Sequence, residues 1–96
     1  MKETINVAEI ARELHLDEEE LLKHALRDYL HNRLKELATE RRTICARLGV
    51  SGLSELERRL KQGQVKEEKV FEDYQRLDWL EHQLGLIRRF LRATRW

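Results

Sequence analysis

The sequence predicts an all-α fold: two long helices in an antiparallel hairpin with two short helices, pairing as a coiled-coil-like dimer, with room for a short N-terminal strand. Three observations carry this. The 96 residues include no proline and are 39% charged, and a chain rich in Leu, Glu, Lys and Arg favours long helices over sheets. The net charge is only +1, which with periodic leucines argues for a folded chain rather than a disordered one. Finally, Val70, Leu77, Leu84 and Leu91 recur every seven residues, interleaved with Leu80 and Ile87. On one helix these side chains form a seam. Leaving them in water forfeits several kcal/mol at roughly 25 cal/mol per Å², so the seam demands a partner helix, from the same chain or from a second copy.

Residues 1–16 read as an N-terminal arm and short helix. Lys2, Thr4 and Asn6 alternate with Glu3, Ile5 and Val7, the period of a short strand. Asn6 and Glu9 have capping-box spacing and open a helix with Val7, Ile10, Ala11 and Leu14 on its apolar face. Asp17 and Glu20 repeat that spacing and open the long helix, residues 17–48. Its acidic first turn complements the positive end of the helix dipole. The apolar stripe runs Leu22, Leu26, Leu30, Leu34, Leu37, Ile44 and Leu48, interrupted by Arg41. This helix would be about 45–48 Å long, against a compact radius of gyration of ~13 Å. A compact monomer cannot cover it all.

Gly49 is expected to stop the helix in the left-handed conformation, with Val50 making the accompanying apolar contact. Residues 49–65 form a connector with a short helix, capped by Ser51 or Ser54, carrying Leu53, Leu56 and Leu60, and ending at Gly63. Residues 66–96 hold the C-terminal heptad helix. Phe71, Trp79, Leu86 and Phe90 lie off its seam, and a helix apolar on two sides is sandwiched. One side is expected to close the hairpin and the other to meet a second protomer. The chain as a whole reads as a single helical domain, 1–96.

No secretory-signal core and no apolar stretch of bilayer length occur, so the cytoplasm is the expected compartment and no membrane partner is expected. The chain lacks a P-loop, a GxGxxG loop and a nucleophile elbow. Accordingly we expect no enzyme activity, no cofactor and no small-molecule substrate. Cys45 is the single cysteine and cannot form an internal disulfide. Arg41, Arg42 and Arg47 are near it, but no histidine base is placed beside it, and it reads as a small core or interface residue. His24, Asp28 and His31 share a helix face after Glu20, a spacing able to hold zinc. The same residues are ordinary on a solvated helix exterior, and no metal site is assigned.

Arg88, Arg89, Arg92 and Arg95 crowd the C-terminal end, flanking Phe90 and Trp96. Cations suit a helix C-terminus, each contributing about 0.3–1 kcal/mol, and four together exceed what the dipole asks for. Partner binding and helix-end chemistry both stay open. With Trp79 as a further aromatic anchor, the partner-binding set is Trp79, Phe90, Trp96, Arg88, Arg89 and Arg92. Residues 8–26 also have helix-turn-helix spacing, but Asp17 to Glu20 would lead the reading helix into the groove. A carboxylate and a phosphate at ~4 Å repel by about 1 kcal/mol even in bulk water. That docking mode is excluded.

The run from His15 to Leu30, with Asp17 as cap, Glu20-Leu21-Leu22 as helix start, then Ala25-Leu26 and Tyr29-Leu30, resembles the second half of ribbon-helix-helix proteins. The resemblance implies a dimer core at Ala25-Leu26 and Tyr29-Leu30. It also implies a two-chain ribbon whose Lys2, Thr4 and Asn6 face the DNA major groove. The chain departs from that family in its short first helix, its acidic run 17–20 and its single basic strand residue. Gly49-Val50, Glu55-Leu56-Glu57, Arg58 to Gly63, Glu72-Asp73 and Trp79-Leu80 are similar to small prokaryotic antitoxin-like proteins. The expected function is therefore a non-catalytic homo-oligomeric protein-binding module, the antitoxin of a toxin–antitoxin pair. The alternative is a ribbon-helix-helix-like DNA-binding transcriptional regulator. The expected partners are a second copy, joined through Val70, Leu77, Leu80, Leu84, Ile87 and Leu91, a protein toxin, and DNA under the alternative.

Overall fold

A computed structural model describes residues 3–94. Those residues form four helices: α1 (Val7–Glu13), α2 (Glu18–Leu48), α3 (Leu53–Lys61) and α4 (Glu67–Ala93). The fold is all-α. No described residue is in a strand, which corrects the N-terminal strand expectation for residues 3–6. A strand needs a neighbour to pair its backbone groups, and this segment has none within the chain. Asn6 instead caps α1, its Oδ1 accepting from the Glu9 amide at 2.9 Å. Lys2 lies outside the described residues.

The turn after α1 is closed by hydrogen bonds from His15 N to Arg12 O at 3.2 Å and from Leu16 N to Ala11 O at 2.8 Å. This is the Schellman pairing of a helix end. It places His15 at φ 58°, in the left-handed region where a glycine is usual. Asp17 then caps α2, its Oδ2 accepting from Glu20 N at 3.2 Å. At the far end Gly49 takes φ 67°, Val50 N donates to Cys45 O at 3.0 Å, and the Val50 side chain is buried. The local signals at both ends of α2 act as their chemistry requires.

α3 differs from expectation. Neither Ser51 nor Ser54 caps it. The N-cap position is Gly52, which has no side chain to offer. The Leu53 amide donates instead to Glu81 Oε2 of α4 at 2.9 Å. Arg41 of α2 balances that carboxylate through its Nε at 3.2 Å and donates from Nη2 to Ser51 O at 3.1 Å. The arginine that interrupts the apolar stripe of α2 thus ties α2, α4 and the start of α3 together.

α2 and α4 run antiparallel. Cross-helix ion pairs join Arg47 to Asp73 near the connection and both Glu40 to Arg76 and Arg41 to Glu81 farther from it, so lower positions on α2 meet higher positions on α4. Between them Leu30, Leu37 and Ile44 pack against Leu80, Leu84 and Ile87, with Leu91 partly buried at the edge. A second cluster beneath α3 gathers Cys45, Val50, Leu56, Val70 and Leu77. Leu77 and Leu80 are 0% exposed in the single chain. Of the two partners the seam could have, the one seen is within the chain: α2 presents a matching seven-residue series at Leu30, Leu37 and Ile44, and the seam closes the hairpin.

The molecule is elongated. Its radius of gyration is 19.7 Å and its principal extents are 61 × 37 × 16 Å, where a compact domain of this length would have a radius near ~13 Å. The hairpin itself is long, with 31 residues in α2 and 27 in α4, and α1 packs against α2 with only Ala11 buried.

Candidate interaction surface

Two stripes share one side of the hairpin. On α2, Leu22, Leu26, Tyr29, Arg33, Glu36 and Glu40 step by four and three residues, the spacing of one helix face. Leu22, Leu26 and Tyr29 are exposed, Tyr29 at 62%. Tyr29, Asn32, Arg33 and Glu36 line one shallow groove. On α4, Arg76, Trp79, Leu86 and Phe90 follow the same spacing on the side away from the core. Trp79 is 38% and Phe90 41% exposed. The bidentate pair between Arg76 and Glu40, with Nη2 2.7 Å from Oε1, joins the two stripes.

Two arginines on this side, Arg33 and Arg76, are paired within the chain. The Arg76 guanidinium, hydrogen-bonded to Glu40, holds that carboxyl below its ordinary value, and Glu40 in turn raises Arg76. Arg76 also lies over the Trp79 ring at 4.4 Å from its centroid, a cation–π contact that fixes the indole. Arg33 pairs with Glu36 at 3.1 Å. Further along, Arg89 lies over Phe90 at 5.2 Å.

The expected C-terminal cluster does not form a single surface. Arg89 belongs with Phe90, whereas Arg88 lies beside Arg41, Glu81 and Leu84 on the other flank of the hairpin. Arg92 stands one turn beyond Arg88. Both are exposed and neither makes an ion pair with another described residue. The split follows from helical periodicity, since neighbours in sequence point about 100° apart. Trp96, the third expected anchor, lies outside the described residues.

The remaining candidates are quickly placed. No group of three or more His, Cys, Asp and Glu side chains among the described residues is arranged to hold a metal. His24 only approaches Glu20, at 3.9 Å. Cys45 is buried in the cluster beneath α3. A groove of 360 Å³ between α3 and α4 is lined by Glu57, Leu60, Lys61, Glu67, Val70, Phe71 and Tyr74. There the Tyr74 hydroxyl donates to Glu57 Oε1 at 2.9 Å, and that hydrogen bond to the carboxylate raises the phenol above its ordinary value. Sequence reasoning missed this groove because its walls come from positions 57 and 74, related by no local pattern. Of the DNA-facing residues implied by the ribbon-helix-helix resemblance, Thr4 is exposed and Asn6 is engaged as the cap. No helix among the described residues is long and apolar enough to cross a membrane.

Residues 1–95 match the family described as the uncharacterized protein MJ0235 family. The chain belongs to this family. It is 27% identical over 74 residues to the uncharacterized protein MJ0235 of Methanocaldococcus jannaschii, covering 77% of this chain and 90% of that protein. The shared span is thus nearly the whole of the archaeal relative. No solved structure matches the chain.

Proposed function

We propose that this chain is a non-catalytic helical module that works by binding protein, with the antitoxin of a toxin–antitoxin pair as its specific form. One observation carries the reading: Tyr29, Trp79 and Phe90 stand exposed on a single side of a hairpin whose own core is already closed. Large aromatic side chains are the usual anchors of protein interfaces, and arginine contacts hold two of these, Trp79 under Arg76 and Phe90 under Arg89. The second support is electrostatic. Arg88 and Arg92 make no ion pair with described residues and steer toward an acidic partner.

The test is co-expression with the product of the adjacent gene. The reading predicts co-purification as a stable complex, weakened at least tenfold by Arg88→Glu with Arg92→Glu. Two separate, monodisperse proteins would overturn it. The ribbon-helix-helix alternative draws no support from Asn6, whose Oδ1 is occupied, or from the acidic first turn of α2. It predicts steeply salt-dependent retardation of the protein's own promoter, weakened when Lys2 is removed.

A further inference from the structure

We propose that the groove between α3 and α4 binds a small organic cation, an aromatic amine whose ring lies against Phe71 and whose ammonium group meets Glu57 and Glu67. The groove shares no residue with the surface assigned to a protein partner, so the two readings stand or fall separately.

Shape comes first. The groove holds 360 Å³, inside the range of roughly 300–1,000 Å³ typical of small-molecule sites. Glu57, Leu60 and Lys61 reach it from the end of α3, and Glu67, Val70, Phe71 and Tyr74 from the first two turns of α4. Val70 is buried, and Leu60 and Tyr74 pack against the same cluster, so the apolar floor is fixed by the core. Phe71 is 48% exposed and supplies an aromatic wall. An apolar lining with a few convergent polar groups is the composition of a ligand site.

Charge then selects the ligand. Glu57 and Glu67 make no ion pair with another described residue, and Lys61 is the one cation among the lining residues. The Tyr74 hydroxyl donates to Glu57 Oε1 at 2.9 Å, which fixes that carboxylate beside the floor and leaves Oε2 to accept from a ligand. This hydrogen bond is the main reason the Tyr74 phenol is raised; partial burial and the negative charges of Glu57, Asp78 and Glu67 add to it. The dipoles of α3 and α4 present opposite half-charges here, because one helix ends where the other begins. Side chains therefore set the sign, and it is negative.

An anion would gain Lys61 and face two carboxylates. A neutral ring would fill the floor and leave both carboxylates uncompensated. An aromatic amine gains charge-assisted hydrogen bonds at the rim, burial over Leu60 and Val70, and cation–π attraction from Phe71 and Tyr74. Lys61 is exposed and can turn its ammonium group into water while its stem covers the apolar edge.

Titration of phenethylamine into the ¹⁵N-labelled full chain at neutral pH, followed by amide chemical shifts, tests this. Saturable shifts are expected at Leu60, Val70, Phe71 and Tyr74, with a dissociation constant on the order of 1 mM for a ligand of this size. Glu57→Gln with Glu67→Gln should weaken binding at least fivefold with helical circular dichroism unchanged, since glutamine at 57 still accepts the Tyr74 hydroxyl. Should that variant lose helicity, Phe71→Ala, which trims an exposed ring, should weaken binding by a similar factor. The uncharged 2-phenylethanol and the anionic phenylacetate should each bind at least fivefold more weakly than the amine. Equal or tighter binding of either analogue would overturn the proposal. So would the absence of saturable shifts at these four amides, or an affinity indifferent to the variants.

Discussion

Glu81 accepts the backbone amide of Leu53 at 2.9 Å, so the first turn of α3 is capped from the middle of α4 rather than by its own sequence. The same carboxylate is held by Arg41. A short helix with no capping side chain is thereby fixed on the hairpin by one acid–base pair, with Leu56 driven into the core beneath it.

Replacing Glu81 by Ala leaves the Leu53 amide and the Arg41 guanidinium without their acceptor. Loss of a helix cap costs about 1–2 kcal/mol, and a comparable loss is expected in urea unfolding. Arg41→Ala should cost about as much, with the double variant far less than additive because the two residues serve one node. Strict additivity would show that they act independently.

Gly52 has an extended backbone, φ 168°, so alanine meets no torsional strain there. Its Cβ would instead lie 2.7 Å from Arg41 Nη2. The guanidinium must move and give up its contacts, at a cost of about 1 kcal/mol. In an Arg41→Ala background Gly52→Ala should cost less, because only Glu81 Oε2, 3.2 Å from the added Cβ, must still give way. Equal costs in both backgrounds, measured by denaturant midpoint, would refute this.

Helices legible in the sequence were those defined locally. Asn6, Asp17 and Gly49 each act within three or four residues of their own position, and a pattern read along the chain finds them. Glu81 caps a helix 28 residues away, and no local pattern encodes that, so Ser51 and Ser54 looked like better caps. The heptad from Val70 to Leu91 could announce that a helix must cover it, yet its repeat is the same for a partner within the chain or outside it. Deciding required α2 to place Leu30, Leu37 and Ile44 opposite. The apolar stripe of α2 likewise runs unbroken through Leu22 and Leu26, and only the position of α4 shows that its exposed part lies before Leu30. The sequence could place the C-terminal arginines on one helix. Reading them as one surface failed because adjacent residues face different ways.

His15 occupies the left-handed position of the α1–α2 turn, where a Cβ is disfavoured. His15→Gly should stabilise the turn by roughly 0.5–1 kcal/mol, the gain from relieving the conformation less the entropy glycine loses on folding. Slower amide exchange across α1 would report it. Faster exchange would mean that the imidazole contributes more than its backbone costs.

Glu40 is held below its ordinary value of 4.5 by the Arg76 hydrogen bond. A carboxyl depressed in the folded state contributes stability that is fully present above the unfolded value and lost as pH falls through the folded one. Stability should therefore decline on the acid side of 4.5, and Glu40→Gln should flatten that part of the profile while leaving neutral to alkaline behaviour parallel. An unchanged acid slope would show that the pair is not linked to folding.

The most direct measurement is an isotope-filtered nuclear Overhauser experiment on a mixture of labelled and unlabelled chains, which reports contacts between chains only. The hairpin account predicts that methyl contacts of Leu80 and Leu84 with Leu37 and Ile44 are absent from the filtered spectrum and present in the unfiltered one. Interchain contacts between Leu84 and Leu37 would contradict it, because the seam would then join two molecules rather than close one.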